Sequence, residues 1–301
     1  MATQSPTSRS ARAAAGAATA TPSATPPEVS LLPAEDPTPR TASQEIQGYA
    51  GDPNFMSTLA RGLAVIRAFT QQRRPLTIAQ LSMKTGIPRA AVRRCLYTLS
   101  QLGYVASDDG RSFVLRPRIL ALGHAYLTSS PLAASAQPIL DQVSDTAHES
   151  CSMAILEGDD ILYIARSRAS TRIMSIDLGV GSRLPAYCTS MGRMLLSGLA
   201  PKELANYLSR VRMAPHTPHT VIAPDKVRAI VEALRARDFA VVDQELEIGL
   251  RSIGVAVRDS SGRIAAAINI SVQASRVTIA EMEKRLKPPL LAAAHELGLL
   301  L

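Results

Sequence analysis

The stretch from Thr77 to Leu102, TIAQLSMKTGIPRAAVRRCLYTLSQL, limits what this chain can fold into more than any other. Thr77 and Gln80 have the spacing of a capping box, in which the threonine oxygen accepts from the amide three residues on and the glutamine reaches back. Gly86 can take the positive φ that ends a helix. Pro88 then suits the first turn of the next helix, where its fixed φ helps and its missing N–H costs nothing. Val92, Cys95, Leu96, Leu99 and Leu102 recur at helical spacing and form one apolar stripe. Arg89, Arg93, Arg94 and Tyr97 lie largely off that stripe. Two short helices joined by a tight turn, with a basic outer side, are a helix-turn-helix.

The flanks extend this unit into a domain. Residues 57–69 carry Leu59, Leu63 and Ile66 at helical spacing and are expected to pack across the helix-turn-helix as its support. Behind the second helix, two short alternating runs flank Asp108-Asp109-Gly110-Arg111, which predicts a β-hairpin. A hairpin in that place is a wing, so residues 55–118 are expected to form a winged helix-turn-helix. The charge agrees. Residues 51–118 hold 11 Lys+Arg against 3 Asp+Glu, a net of +8 that accounts for the whole excess of the chain, whereas residues 1–50 carry −1 and residues 119–301 carry +1. Positive charge concentrated on one module is the footprint of a phosphate-binding surface. Thr77, Arg89, Arg93, Arg94, Tyr97 and the wing-tip Arg111 are the candidate contacts to double-stranded DNA, because arginine can bridge guanine O6 and N7 or neutralise backbone phosphate. A merely solvated face is the other reading of the arginines.

Residues 1–54 are rich in Ala, Thr, Ser and Pro and are expected to be a disordered tail, or to lie ahead of a true start near Met56. A linker helix is expected over 119–130, and a second domain over 131–301. In that domain the patterns predict a helix over 132–148, a hairpin from 151–156 and 161–166, and a strand over 172–178. Helices over 190–199, 201–208 and 225–237 precede strands over 239–243, 252–258 and 264–272. A last helix is capped by Thr278 and Glu281. The fold class is therefore α+β with a largely antiparallel sheet. No apolar run approaches the ~18 residues of a membrane helix. Cys95, Cys151 and Cys188 have neither paired nor metal-ligand spacing, which predicts a reduced, cytoplasmic chain without metal or cofactor.

Two stretches of the second domain could hold a ligand. Leu184-Pro185-Ala186-Tyr187-Cys188-Thr189-Ser190-Met191-Gly192-Arg193 sets polar and aromatic groups ahead of an apolar helix, whose free first-turn amides favour a small carboxylate. Tyr187 would be an aromatic wall and Thr189 or Ser190 a donor; alternatively the hydroxyls simply cap the helix. Asp243, Arg251 and Ser252, with Asn269 and Ser271 on one strand face, could line the same pocket or an exposed sheet surface. Cys188 or Ser190 as an enzymatic nucleophile would need a base, for which His216 and His219 are the candidates. Without a G-x-S-x-G elbow, phosphate loop or metal cluster, catalysis is not expected. Cys188, near a helix start and Arg193, is also the one plausible redox-sensing thiol.

These residues carry a resemblance. STLARGLAVIRAF from Ser57, the helix-turn-helix, LPAYCTSMGRMLL from Leu184 and GLRSIGVAVRDSSGRIAAAINIS from Gly249, in this order, resemble the isocitrate-lyase-regulator (IclR) family of bacterial transcription factors over residues 55–297. The Tyr187-Cys188-Thr189-Ser190 form resembles the branch that regulates aromatic-acid catabolism through the β-ketoadipate pathway. The usual family form has His in place of Tyr187 and Lys in place of Arg193. The resemblance implies a GAF-like effector domain binding a small organic acid such as protocatechuate, 4-hydroxybenzoate or β-ketoadipate, and a homodimer or dimer of dimers on DNA. Family pocket positions fall on Tyr187, Cys188, Thr189, Ser190, Met191, Gly192, Ser252, Asn269 and Ser271. Where some members carry a pocket aspartate this chain has Val242, with Asp243 beside it.

Overall fold

The computed structural model describes residues 41–69, 74–167 and 178–301. Its first part runs α1 (Ala42–Gln47), α2 (Ser57–Arg67), β1 (Leu76–Thr77), α3 (Ile78–Thr85), α4 (Arg89–Gln101), β2 (Val105–Ala106) and β3 (Ser112–Leu115). The capping box forms as the sequence predicts: the Gln80 amide donates to Thr77 Oγ1 at 3.3 Å and the Thr77 amide to Gln80 Oε1 at 2.9 Å. Gly86 ends α3 at φ 70°, and Pro88 sits one place earlier than predicted, at the cap of α4. The wing is a three-stranded sheet of order β1-β3-β2, because Leu76 and Thr77 add an edge strand to the predicted hairpin. Its turn is pinned by the Asp109 carboxylate, which accepts from the Arg111 and Ser112 amides at 2.8 and 2.7 Å; these bonds hold the carboxyl down to about 2. Val65, Leu76, Leu81, Ile87, Val92, Leu96 and Val105 form the core beneath.

Two expectations are corrected in this part. The tail does not extend to residue 54: from Thr41 the chain forms α1 with its own Thr41–Gln44 capping box, Ala42 and Ile46 pack against the winged-helix core, and Tyr49 stacks on Phe55 at 4.3 Å between ring centroids. Composition misjudged this segment because so short a helix uses apolar surface supplied by its neighbour. A Cβ on Gly86 would lie 2.9 Å from Thr41 Oγ1, so the glycine that ends α3 also admits this segment. The second correction concerns α2, which turns Ala64 and Val65 inward and leaves Leu59 and Leu63 57% and 49% exposed. The small Ala64 lets α2 approach α4, while the leucines face outward. Together with Leu99, the exposed Leu102 and Leu122 they line an apolar groove of about 480 Å³, with Arg61 and Arg94 also in its lining.

A 3-10 turn over Pro117–Ile119 leads into α5 (Leu120–Ser129) and then α6 (Pro131–Ala147). Next come β4 (Ser150–Glu157), β5 (Asp160–Arg166), β6 (Arg183–Pro185), α7 (Ser190–Ser197), α8 (Pro201–Arg210), α9 (Pro224–Leu234), β7 (Phe239–Asp243), β8 (Leu250–Arg258) and β9 (Ile264–Gln273). The chain closes with α10 (Ile279–Glu281), a π-turn over Met282–Leu286 and α11 (Lys287–Gly298). The six strands form one antiparallel sheet of order β6-β5-β4-β9-β8-β7. Alternation along each strand sends Cys151, Met153, Ile253, Val255, Ile268 and Ile270 to the face covered by α6 and α11. Ala154, Ala240, Leu250 and Ala267 go to the face covered by α7, α8 and α9. The α+β antiparallel class is the expected one. The strand expected over 172–178 falls, apart from Leu178, outside the described residues, and β6 was not anticipated because three residues ending in proline carry little pattern. Among the described residues no helix is long and apolar enough to cross a membrane.

Candidate functional site

On the basic module, α4 presents Arg89, Arg93, Arg94 and Tyr97 to solvent while Val92, Cys95, Leu96 and Leu99 are buried. Side chains advance about 100° per residue around a helix. Arg89, Arg93 and Tyr97 therefore share one face, and Arg94, about 100° on from Arg93, joins the apolar groove with Thr98 and Leu102. The exposed wing tip carries Arg111. Thr77 is committed elsewhere: its hydroxyl closes the α3 cap with Gln80 and its backbone pairs with Ser112. The face is thus made by Arg89, Arg93, Tyr97 and Arg111, with Arg94 at its margin.

In the second domain the sheet register assembles a polar floor. Ser252, Ser271 and Ser150 stand abreast across β8, β9 and β4, and the next rung is Gly254, Asn269 and Ser152. The five side chains point to the α7 side, and Ser150, Ser152, Ser252 and Asn269 are buried. Asn269 Nδ2 donates to Ser271 Oγ at 3.2 Å, while among the described residues Asn269 Oδ1 and Ser190 Oγ are buried without a hydrogen-bond partner. A buried polar atom without a partner costs free energy that a ligand or solvent group would recover. Over the floor lie Cys188, Thr189 and Met191 from the start of α7, with Tyr163, Leu184, Val242, Leu246 and Leu250 as apolar and aromatic wall. The cavity measures about 20 Å³. Ser252, Asn269, Ser271, Cys188, Thr189 and Met191 thus come together as the sequence suggested.

Other predicted pocket residues have different places. Asp243 is one residue out of phase: it lies on the opposite sheet face, paired through both carboxylate oxygens with Arg251 at 2.8 and 2.9 Å, and Arg251 also donates to the Val277 carbonyl. A period of two gives Val242, not Asp243, to the cavity. Tyr187 is no wall of the cavity; its ring is buried in the core under α7 and its hydroxyl accepts from the Ala214 amide and donates to the Ala214 carbonyl. Gly192 serves packing, since any Cβ there would run into the Ala186 backbone. Ser190 packs its Oγ against Gly254, where a Cβ would come within 3.0 Å of it. Thr189 caps α7, accepting from the Gly192 amide at 3.2 Å, and donates its own proton to the Pro185 carbonyl at 3.0 Å, while its side chain also lines the cavity. Tyr163, Leu246 and Leu250 were missed: Tyr163 reaches the cavity from β5, Leu250 from the start of β8 and Leu246 from the loop before it, and only the tertiary fold brings them together.

A model of the IclR helix-turn-helix domain matches residues 58–109, and a model of the bacterial transcriptional regulator IclR C-terminal domain matches residues 124–298. The chain belongs to the IclR family. Among relatives, the Pca regulon regulatory protein of Pseudomonas putida is 56% identical over 85% of this chain and 87% of its own length. The crystal structure of a transcriptional regulator from Rhodococcus sp. RHA1 is 43% identical, covers 82% of this chain and 98% of that one, and superposes with a TM-score of 0.72. A double mutant of the PobR inducer-binding domain from Acinetobacter, solved as a complex with 3-hydroxybenzoic acid, is 27% identical over 55% of this chain and 96% of its own, with a TM-score of 0.52.

As an IclR-family member the chain is a DNA-binding transcriptional regulator, and the enzymatic and redox alternatives lose their physical footing. Burial pushes the Cys188 thiol up to about 12, and the Glu245 carboxylate adds to the effect; the Arg193 charge that was to activate it is taken by Glu245 instead. Cys95 and Cys151 are likewise buried and raised. A thiol so held is neither nucleophile nor ready reductant at neutral pH. His216, one of the candidate bases, stacks on Tyr187 at 6.3 Å between ring centroids.

Proposed function

We propose that this regulator controls genes of aromatic-acid catabolism, as its Pca relative's name indicates for that protein, and that a small organic acid bound between the β8–β9–β4 floor and the start of α7 sets its activity on the operator. The observation that carries this reading is the polar end of the cavity, where Asn269 Oδ1 has no partner and Ser252, Ser271 and Thr189 line the space beneath an otherwise apolar wall. Whichever way its amide is turned, Asn269 offers one further polar atom to a ligand. The carboxylate end would take the Ser252 and Ser271 hydroxyls and the Asn269 amide, and the carbon skeleton the side of Met191, Val242 and Leu246. A ligand bound only by the folded state at about a hundred times its Kd stabilises by about 2.7 kcal/mol, equivalent to a rise in melting temperature of about 5–10 °C. Thermal melts of the full chain with 4-hydroxybenzoate, protocatechuate and β-ketoadipate are expected to show such a rise for at least one, and Asn269→Leu to abolish it. No shift with any of the three would count against the effector site.

The regulator acts as a homodimer, or a dimer of dimers, in which the groove lined by Leu59, Leu63, Leu102 and Leu122 takes the same surface of a second copy. Exposed leucines gathered in one groove mark an association surface. Leu59→Glu combined with Leu63→Glu is expected to leave a folded monomer in sedimentation experiments and to lower operator affinity by more than tenfold, since the two half-sites are then bound independently. An unchanged dimer would move the interface elsewhere.

A further inference from the structure

An aromatic ring does not fit the effector cavity as it stands. A cavity able to hold benzene measures about 150 Å³, against about 20 Å³ here, so a wall has to move. The floor consists of central strands, and every residue of α7 is buried. Leu246 is different, for it lies on the irregular 244–249 loop between β7 and β8.

What holds that loop is specific. Glu245, 7% exposed, accepts from Arg193 Nη1 at 2.6 Å, from Arg193 Nη2 at 2.7 Å and from the Val221 amide at 3.0 Å. Arg193, 3% exposed, sits in the first turn of α7 and also donates from Nε to the Tyr187 carbonyl at 2.9 Å. The Thr217 and Thr220 hydroxyls donate to the Gln244 and Glu245 carbonyls at 2.7 and 2.6 Å, tying the 214–221 segment to the same loop. Gln244, where the loop begins, has φ 58°, a conformation that surrounding contacts must maintain. The ion pair therefore joins the roof of the cavity to the helix start that forms its polar end.

We propose that the Arg193–Glu245 ion pair is a latch that holds the 244–249 loop down on the effector cavity, so that an effector binds by displacing the loop against it. Arg193 and Glu245 are positioning residues: neither is in the cavity lining, yet together they set how often the cavity is open. This rests on the cavity being the effector site. Apparent affinity is the intrinsic affinity multiplied by the fraction of binding-competent molecules. Weakening the latch then lowers the stability of the closed protein but tightens effector binding, whereas a purely structural pair would lose both together.

Arg193→Lys keeps the charge but cannot make the two-pronged contact with Glu245 together with the bond to Tyr187. Thr220→Val releases the loop from the other side without touching the ion pair, and serves if the first variant fails to fold. Full-length wild type and both variants would be melted, then titrated calorimetrically with 4-hydroxybenzoate, protocatechuate and β-ketoadipate. The latch predicts a lower melting temperature and an effector Kd about five- to tenfold tighter in either variant. Acids that bind wild type while both folded variants bind no tighter overturn the latch alone. If no acid binds any of the three proteins, the effector-site reading falls and the latch falls with it.

Discussion

Replacing Arg93 by alanine is expected to weaken operator binding by about tenfold or more at fixed salt while leaving the melting temperature of the protein unchanged. Arg93 projects from the exposed side of α4, on the face it shares with Arg89 and Tyr97, and its removal disturbs none of Val92, Cys95, Leu96 and Leu99 beneath. If it reads a base edge, affinity falls and discrimination at one operator position relaxes; if it neutralises phosphate, affinity falls for every sequence and the salt slope drops by about one. Arg94→Ala is the internal comparison, because Arg94 joins the apolar groove and its loss affects DNA less. Wild-type affinity for Arg93→Ala in a gel-shift titration would remove Arg93 from the contact face.

Glu245→Ala is expected to destabilise the effector domain by about 3–5 kcal/mol, the usual cost of stripping a buried charge of its partner. The guanidinium of Arg193 would be left within the protein with only the Tyr187 carbonyl to satisfy it, and the Val221 amide would lose its acceptor. Surface pairs such as Arg183 with Glu157 are different, since water replaces the missing partner and their loss costs about 0–1 kcal/mol. Denaturant melts of Glu245→Ala and Glu157→Ala therefore separate the two cases. A loss below about 1 kcal/mol for Glu245→Ala would mean that the loop opens freely and solvates Arg193.

The exposed basic face of α4 was legible in the sequence to nearly its full extent, because everything it needs is local. The Thr77–Gln80 capping box, the stop at Gly86 and the spacing of Val92 to Leu99 fix which side of α4 is outside. The error at α2 came from treating leucines as the inward residues, when a helix with Ala64 and Val65 on one side and Leu59 and Leu63 on another can bury either. Shape decides that, since small residues let two helices approach and large ones fill an external groove.

The cavity proposed to take an effector was legible only in its parts. The stretch from Cys188 to Met191 and the pair Asn269 and Ser271 announce themselves through polar residues set among apolar ones. Asp243, by contrast, looked more like a ligand partner than Val242 until strand phase put it on the other face, opposite Arg251. Sequence by itself determined the helix-turn-helix, its charge, the wing hairpin and the α+β class, all consequences of interactions within a few residues. Only the tertiary structure decided that Ser150, Ser152, Ser252 and Asn269 share one floor, and that Arg193 and Glu245, 52 residues apart, meet in a buried pair. Strand register and loop closure join residues far apart in the chain, and no local pattern records which distant partner a side chain will find.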